Sequence, residues 1–220
     1  CYLGIAHYQL KEYDKALETY QTGIQIIDKE NTSLISDFYG QIGDIHYQMK
    51  NQEKAYEAYE EALKYNDKNI VVLNNYSYFL TLDKKDLKKA ERMSAQCIKL
   101  QPDNSTYLDT YAWVFFMQGN YTLAKIYIES AISKDTTKSP ELADHYGDIL
   151  YMSGEKEKAV EQWIKAKELG FSEIRLYEKS LQNLYHLRLI DGYRIDNWLV
   201  DSEINSDLQD SFREIITSAP

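Results

Sequence analysis

The chain has 220 residues and a formal net charge of -10, from 35 acidic and 25 basic side chains, a field that repels phosphate and excludes nucleic acid as the expected partner. Only 9 Gly and 3 Pro accompany 27% charged residues, a balance that favours helices joined by short turns over a many-stranded sheet. No apolar run approaches the roughly 20 residues of a membrane span. Cys1 and Cys97 stand in no C-x-x-C or Cys/His spacing, so neither a disulfide framework nor structural zinc is expected.

No Pro-, Gly- or Ser-rich linker divides the chain, and one continuous body is expected. The 20 tyrosines suit half-buried helix faces, where a ring packs while its hydroxyl reaches water. The densest basic run, Lys84-Lys85-Asp86-Leu87-Lys88-Lys89, reads as a solvated turn.

Taken in order, apolar and small residues return every three or four positions, the helical signal. The first unit runs from Cys1 to about Asp28: Leu3, Gly4 and His7 mark one helix, Lys11-Glu12-Tyr13-Asp14 a turn, and Ala16, Tyr20 and Gly23 a second helix. A helix already running at Tyr2 points to a truncated start. In the second unit, about Asp37 to Asp67, Ile42-Gly43 repeats Leu3-Gly4, and Ala55, Tyr59 and Ala62 repeat Ala16, Tyr20 and Gly23. In the third, Tyr76-Ser77 takes the large-small place, Ala90 and Cys97 take the small places of the second helix, and Pro102 ends it. The fourth carries Tyr111-Ala112, a Gly119-Asn120 turn, Ala124 and Ala131; the fifth carries Tyr146-Gly147, Gly154, Ala159, Trp163 and Ala166. Ala55, Ala90, Ala124 and Ala159 are spaced 35, 34 and 35 apart, the period of a helix-turn-helix solenoid.

These units resemble tetratricopeptide repeats over 1–171, on the large-small pairs Ile42-Gly43, Tyr111-Ala112 and Tyr146-Gly147 and on the triplets Ala55/Tyr59/Ala62 and Ala159/Trp163/Ala166. The resemblance implies an all-α, right-handed superhelical solenoid of five antiparallel helix pairs, the first truncated. After Gly170 the rhythm stops. Ile174, Tyr177, Leu181, Leu184 and Tyr185 fall on one face, so 172–190 is expected to form a capping helix, with a tail over 191–220 holding a short helix after Ser206. The phrases LNNYSYFL, STYLDTYAW and HYGDILY resemble those of bacterial envelope-associated members, which favours the periplasm or envelope over the cytoplasm.

In that family the first helices of successive repeats line a concave, ligand-binding groove. The resemblance places Asp44 and Tyr47; Asn74, Asn75 and Tyr78; Asp109, Thr110, Trp113 and Phe116; and Asp144, Asp148 and Tyr151 in it. Amides of Asn pair with both donors and acceptors of an extended backbone, rings supply apolar anchors, and carboxylates favour Lys or Arg on a ligand. Asp44, Asp109 and Asp144 stand where a clamp for a terminal carboxylate needs cations, so an acidic peptide tail is not the expected ligand.

Two Asp/His pairs, Asp44 with His46 and His145 with Asp148, raise metal or acid-base chemistry. Yet His7 and His46 share a repeat place with Leu80, Phe115 and Leu150, which reads as packing. No H-E-x-x-H, P-loop, G-x-S-x-G or dinucleotide turn occurs. The expectation is a non-enzymatic scaffold without cofactor or metal, binding a basic or aromatic-containing peptide. The alternative is an assembly module of a bacterial envelope complex that uses its outer surface or tail.

Overall fold

The computed structural model describes residues 2–171; the expected capping helix at 172–190 and the tail at 191–220 lie outside the described residues. Among the described residues all regular structure is helical. The chain divides into two compact units, Cys1–Asp135 and Thr136–Pro220, where the sequence suggested one body. The division falls at the polar connection Asp135-Thr136-Thr137-Lys138-Ser139.

The first unit holds four antiparallel helix pairs: α1 (Tyr2–Gln9) with α2 (Tyr13–Ile26), α3 (Thr32–Gln48) with α4 (Gln52–Tyr65), α5 (Ile70–Leu82) with α6 (Leu87–Leu100), and α7 (Ser105–Met117) with α8 (Tyr121–Lys134). The second holds the pair α9 (Pro140–Met152) and α10 (Lys156–Glu168). Most helices start where a short polar side chain can take an orphan backbone N–H. Asn31, Asn69, Asn104 and Asn120 accept from Leu34, Val72, Tyr107 and Leu123, and Ser139 caps α9 ahead of Pro140.

Within each pair the first helix ends on a residue of left-handed backbone: Lys11, Lys50 and Lys84 in the first three pairs, Gly119 and Gly154 in the last two. That conformation lets the residue's own amide and the next one return to the helix's last carbonyls, as Lys50 N does to Tyr47 O and Asn51 N to His46 O.

The helices of a pair meet where a small residue faces the middle of the partner helix. At Gly43 an added Cβ would stand 2.6 Å from the Tyr59 ring, at Gly4 2.6 Å from that of Tyr20, and at Gly147 2.3 Å from the Trp163 indole nitrogen. Glycine is required there because the ring occupies the space a side chain would fill. Where the partner is smaller, the facing residue grows: Ala112 in the pair with Ile128, and Ser77 in the pair with Ser94, both hydroxyls donating to Ala90 O at 2.8 Å. Ala16, Ala55, Ala90, Ala124 and Ala159 are wholly buried in their second helices.

The second and third pairs are joined by Tyr76, the large residue that precedes small Ser77. Tyr76 stacks on Tyr59 at 5.2 Å and donates to Glu60 Oε1 at 2.7 Å, while Lys89 ion-pairs with Glu60 and lies 4.7 Å over the Tyr76 ring. Cys97 is free and buried, and burial pushes its thiol up to about 12, which keeps it unreactive.

Candidate functional site

In the first unit α3, α5 and α7 lie side by side, α5 touching both neighbours. Their shared face follows from the register. Rows i, i+3 or i+4, and i+7 lie along one side of a helix, so Asp37/Gly40/Asp44/Tyr47, Val71/Asn74/Tyr78/Leu82 and Thr106/Asp109/Trp113/Phe116 form three adjacent stripes.

Asp44 is the polar centre between the first two stripes. Its carboxylate accepts from Tyr59 Oη at 2.5 Å, from Asn75 Nδ2 at 3.1 and 3.3 Å, and from Gln41 Nε2 at 3.4 Å. Burial raises its pKa, and the hydrogen bonds from Tyr59 and Asn75 oppose that shift without cancelling it. The same carboxylate, with burial as the larger cause, raises the pKa of Tyr59. Asp44 thus ties α3 to its own α4 and to the next repeat.

A second centre lies at Asp83, which follows α5. It accepts from Tyr47 Oη at 3.2 Å, from Gln52 Nε2 at 3.3 Å and from Tyr56 Oη. The Tyr47 ring also stacks on Phe79 with centroids 3.7 Å apart. Tyr47 is therefore clamped between repeats, its hydroxyl pKa raised by burial and by Asp83.

Of the third-repeat residues, Asn75 is half-buried and spent on Asp44, Tyr78 is half-buried against Phe79, and Asn74 is only 7% exposed. Asn74 Nδ2 donates to Asn75 Oδ1 at 3.4 Å, and its carbonyl Oδ1 is buried without a hydrogen-bond partner. In the fourth repeat Thr110 and Trp113 are buried, Trp113 stacking on half-buried Phe116 at 4.6 Å, and Asp109 is half-buried with a partner of its own. The buried Thr110 and Trp113 sit in the packing rather than on an open wall.

In the second unit Asp144 is wholly buried and has its own partner. Asp148 accepts from Trp163 Nε1 at 3.1 Å, the same place and the same bond type as Asp44 with Tyr59. Tyr151 is half-buried beside Trp163, with Lys156 Nζ 5.5 Å over its ring. The carboxylates that the sequence suggested for a cationic ligand are thus engaged inside the chain.

Two residues that the sequence reading passed over stand out on the α5 stripe: Val71, 49% exposed, and Leu82, 38% exposed. Their signal was present in the spacing, three before Asn74 and four after Tyr78. His46 and His145 lie in the packing, half-buried and 3% exposed. Among the described residues no group of three or more His, Cys, Asp or Glu is placed to hold a metal ion, and no helix is long and apolar enough to cross a membrane.

Comparison with known proteins agrees with this architecture. The tetratricopeptide repeat model matches residues 36–69, and no curated protein matches the sequence. The fold is similar to that of PilF of Pseudomonas aeruginosa, with a TM-score of 0.65 at 19% identity over 91% of this chain and 95% of that one. It is also similar to a thermophilic TPR protein of Thermus thermophilus, with a TM-score of 0.65 at 16% identity over 83% of this chain and 96% of that one. A tetratricopeptide repeat protein of Parabacteroides merdae aligns with a TM-score of 0.64 at 21% identity over 82% of this chain and 68% of that one. The fold is that of the tetratricopeptide-repeat proteins, and residues 36–69 match such a repeat by sequence as well.

Proposed function

We propose that this protein is a non-enzymatic interaction scaffold whose α3/α5/α7 face takes a basic or aromatic-containing peptide segment of a protein partner. The observation that carries the reading is the adjacency of three first helices with partly exposed groups on the stripes of two of them: Tyr78 and Leu82 on α5, Asp109 and Phe116 on α7. Half-buried rings on this face give apolar anchoring at low entropy cost, and polar groups around them fix orientation. The fifth pair carries Asp148 and Tyr151 at the corresponding places of α9, and the same role is proposed for them within their own unit.

A displayed peptide library selected against the whole chain tests the reading. Selected peptides are expected to lose binding to Tyr78→Ala and Asp109→Lys while the variants keep their helical circular dichroism. Peptides that bind both variants as tightly as the parent chain remove this face from the function.

A further inference from the structure

We infer that the turn edge of the first three helix pairs docks on the anionic surface of a phospholipid bilayer, with its unpaired lysines toward the headgroups. This edge lies at the ends of the first helices, apart from the α3/α5/α7 face proposed for the peptide.

Taken alone, the run at 84–89 is a solvated turn. The repeat register sets two further turns beside it. Lys11, Lys50 and Lys84 hold one place, seven residues after Gly4, Gly43 and Ser77, and all three have left-handed backbone, with φ of 59°, 62° and 53°. Glycine adopts that conformation freely, whereas a side chain crowds the following carbonyl. The fourth and fifth pairs use Gly119 and Gly154 there. Three successive pairs thus hold a lysine where glycine serves the backbone better, and a backbone outlier repeated at one place points to a use for the side chain.

The charge balance turns over at the same edge. Segments 9–15, 48–54 and 82–89 carry eight lysines against five carboxylates, in a chain with 25 basic and 35 acidic residues. Three of those carboxylates are engaged inside the chain: Glu12 by His7 and Lys15, Asp83 by Tyr47, Tyr56 and Gln52, and Asp86 by the Lys89 amide. Asp14 and Glu53 are exposed. Lys15 and Lys89 are held by Glu12 and Glu60. By contrast, Lys11, Lys50, Lys54, Lys84, Lys85 and Lys88 are exposed and make no ion pair among the described residues. At the other ends of the same helices, 27–32, 66–70 and 101–105 hold two lysines against four carboxylates. Those ends stand about 20 Å back along the second helices, beyond the Debye length of about 8 Å at physiological salt. A charged surface brought to the turn edge therefore meets the lysines and not the net charge of the chain.

The arrangement favours a surface over a peptide. Recognition of single carboxylates is best served by Arg forks that meet them bidentately, and these turns hold only lysines. Compact ammonium groups on flexible stems suit a field of many anions. Each stands on an exposed turn, and successive turns are spaced by roughly the 10 Å between packed helices, so the charges form a row with no common focus. Leu10, 70% exposed beside Lys11, adds an apolar tip able to enter the headgroup layer.

The test is cosedimentation of the full chain with vesicles of phosphatidylcholine alone and with vesicles containing about one-third phosphatidylglycerol, at low and high salt. Binding is expected to the anionic vesicles only, and to fall as salt rises. A triple variant, Lys11→Gly with Lys50→Gly and Lys84→Gly, removes three charges at places that suit glycine, so its urea midpoint is expected not to fall. Its partitioning onto anionic vesicles is expected to drop about a hundredfold, at about fivefold per lysine. Lys29→Gln with Lys68→Gln, on the opposite edge, is expected to leave partitioning unchanged. Equal binding to neutral vesicles, no binding to either kind, or equal losses in the two variants overturns the proposal. So does an oligo-glutamate peptide that binds the parent and not the triple variant while anionic vesicles stay unbound, because the partner is then an acidic protein segment.

Discussion

The second and third repeats are neighbours of the same connectivity, yet their helix pairs are held together by different chemistry. In the second, a Tyr59 ring lies over Gly43 and its hydroxyl is fixed by Asp44. In the third, the ring is replaced by Ser94, glycine by Ser77, and both hydroxyls converge on Ala90 O. The places are the same and the means differ: a large residue needs an empty site opposite, whereas two small ones leave the pair to their shared hydrogen bonds with Ala90 O. Tyr20 over Gly4, Ile128 with Ala112 and Trp163 over Gly147 follow the same trade. What recurs from repeat to repeat is the place, and the residues that fill it differ.

The largest effect that tests this comparison is Tyr59→Ala. It removes a fully buried ring that packs with Tyr76 and deprives Asp44 of a donor. A loss of about 3–5 kcal/mol is expected in urea unfolding, the range for a large aromatic truncated in a core. Ser94→Ala, at the same place one repeat later, leaves no cavity of that size and is expected to cost about 1 kcal/mol. Equal losses at the two places would refute the idea that the repeats close by different means.

Gly43→Ala comes next. The new Cβ meets the Tyr59 ring at 2.6 Å, and that ring cannot swing aside because Asp44 and Tyr76 hold it. Overpacking of this kind is expected to cost about 1–3 kcal/mol. Combining it with Tyr59→Ile copies the Ala112/Ile128 pair of the fourth repeat. The double variant is expected to be more stable than the sum of the two single losses predicts, and strict additivity in a double-mutant cycle would break the volume argument.

Ser77→Ala tests the other side. It removes one of two hydroxyls on Ala90 O and leaves the Ser94 bond in place, so the carbonyl stays satisfied and the loss is expected at about 0.5–1.5 kcal/mol. A loss as large as that of Gly43→Ala would mean that the two hydroxyls work as one unit.

Much of this was legible in the chain itself. The spacing of Ala55, Ala90, Ala124 and Ala159, the large-small pairs and the Gly-aromatic matches are local or repeat-periodic signals, and they carry the all-α helix-pair fold. The groove was legible only as a set of places. Whether Asp44 or Asp148 faces a ligand or a neighbour depends on what the second helix offers, a Tyr59 hydroxyl or a Trp163 N–H, and this contact across 15 residues is invisible to periodicity. Likewise Asn74 and Val71 share a stripe, but only packing decides that the amide is buried and the valine exposed. The division after Asp135 has no Pro- or Gly-rich marker in the sequence, so linker composition does not reveal it.

The smallest expected effect separates the roles of Asp44. Its folded-state pKa is raised, chiefly by burial, so the protonated carboxyl suits the fold better than the charged one. The contribution from this group is fully present below the ordinary carboxylate value of about 3.9 and is lost as pH rises through the higher folded value. At neutral pH the chain therefore carries a charge that is costly to bury and is offset by the bonds from Tyr59 and Asn75. Asp44→Asn keeps an acceptor for those donors and removes the charge. Urea midpoints of parent and variant are expected to differ least at low pH, with the parent falling behind the variant as pH rises above the ordinary carboxylate range. A parent that instead gains on Asp44→Asn with rising pH shows that the hydrogen bonds outweigh burial, and that the second repeat is closed by charge as much as by the fit of Tyr59 over Gly43.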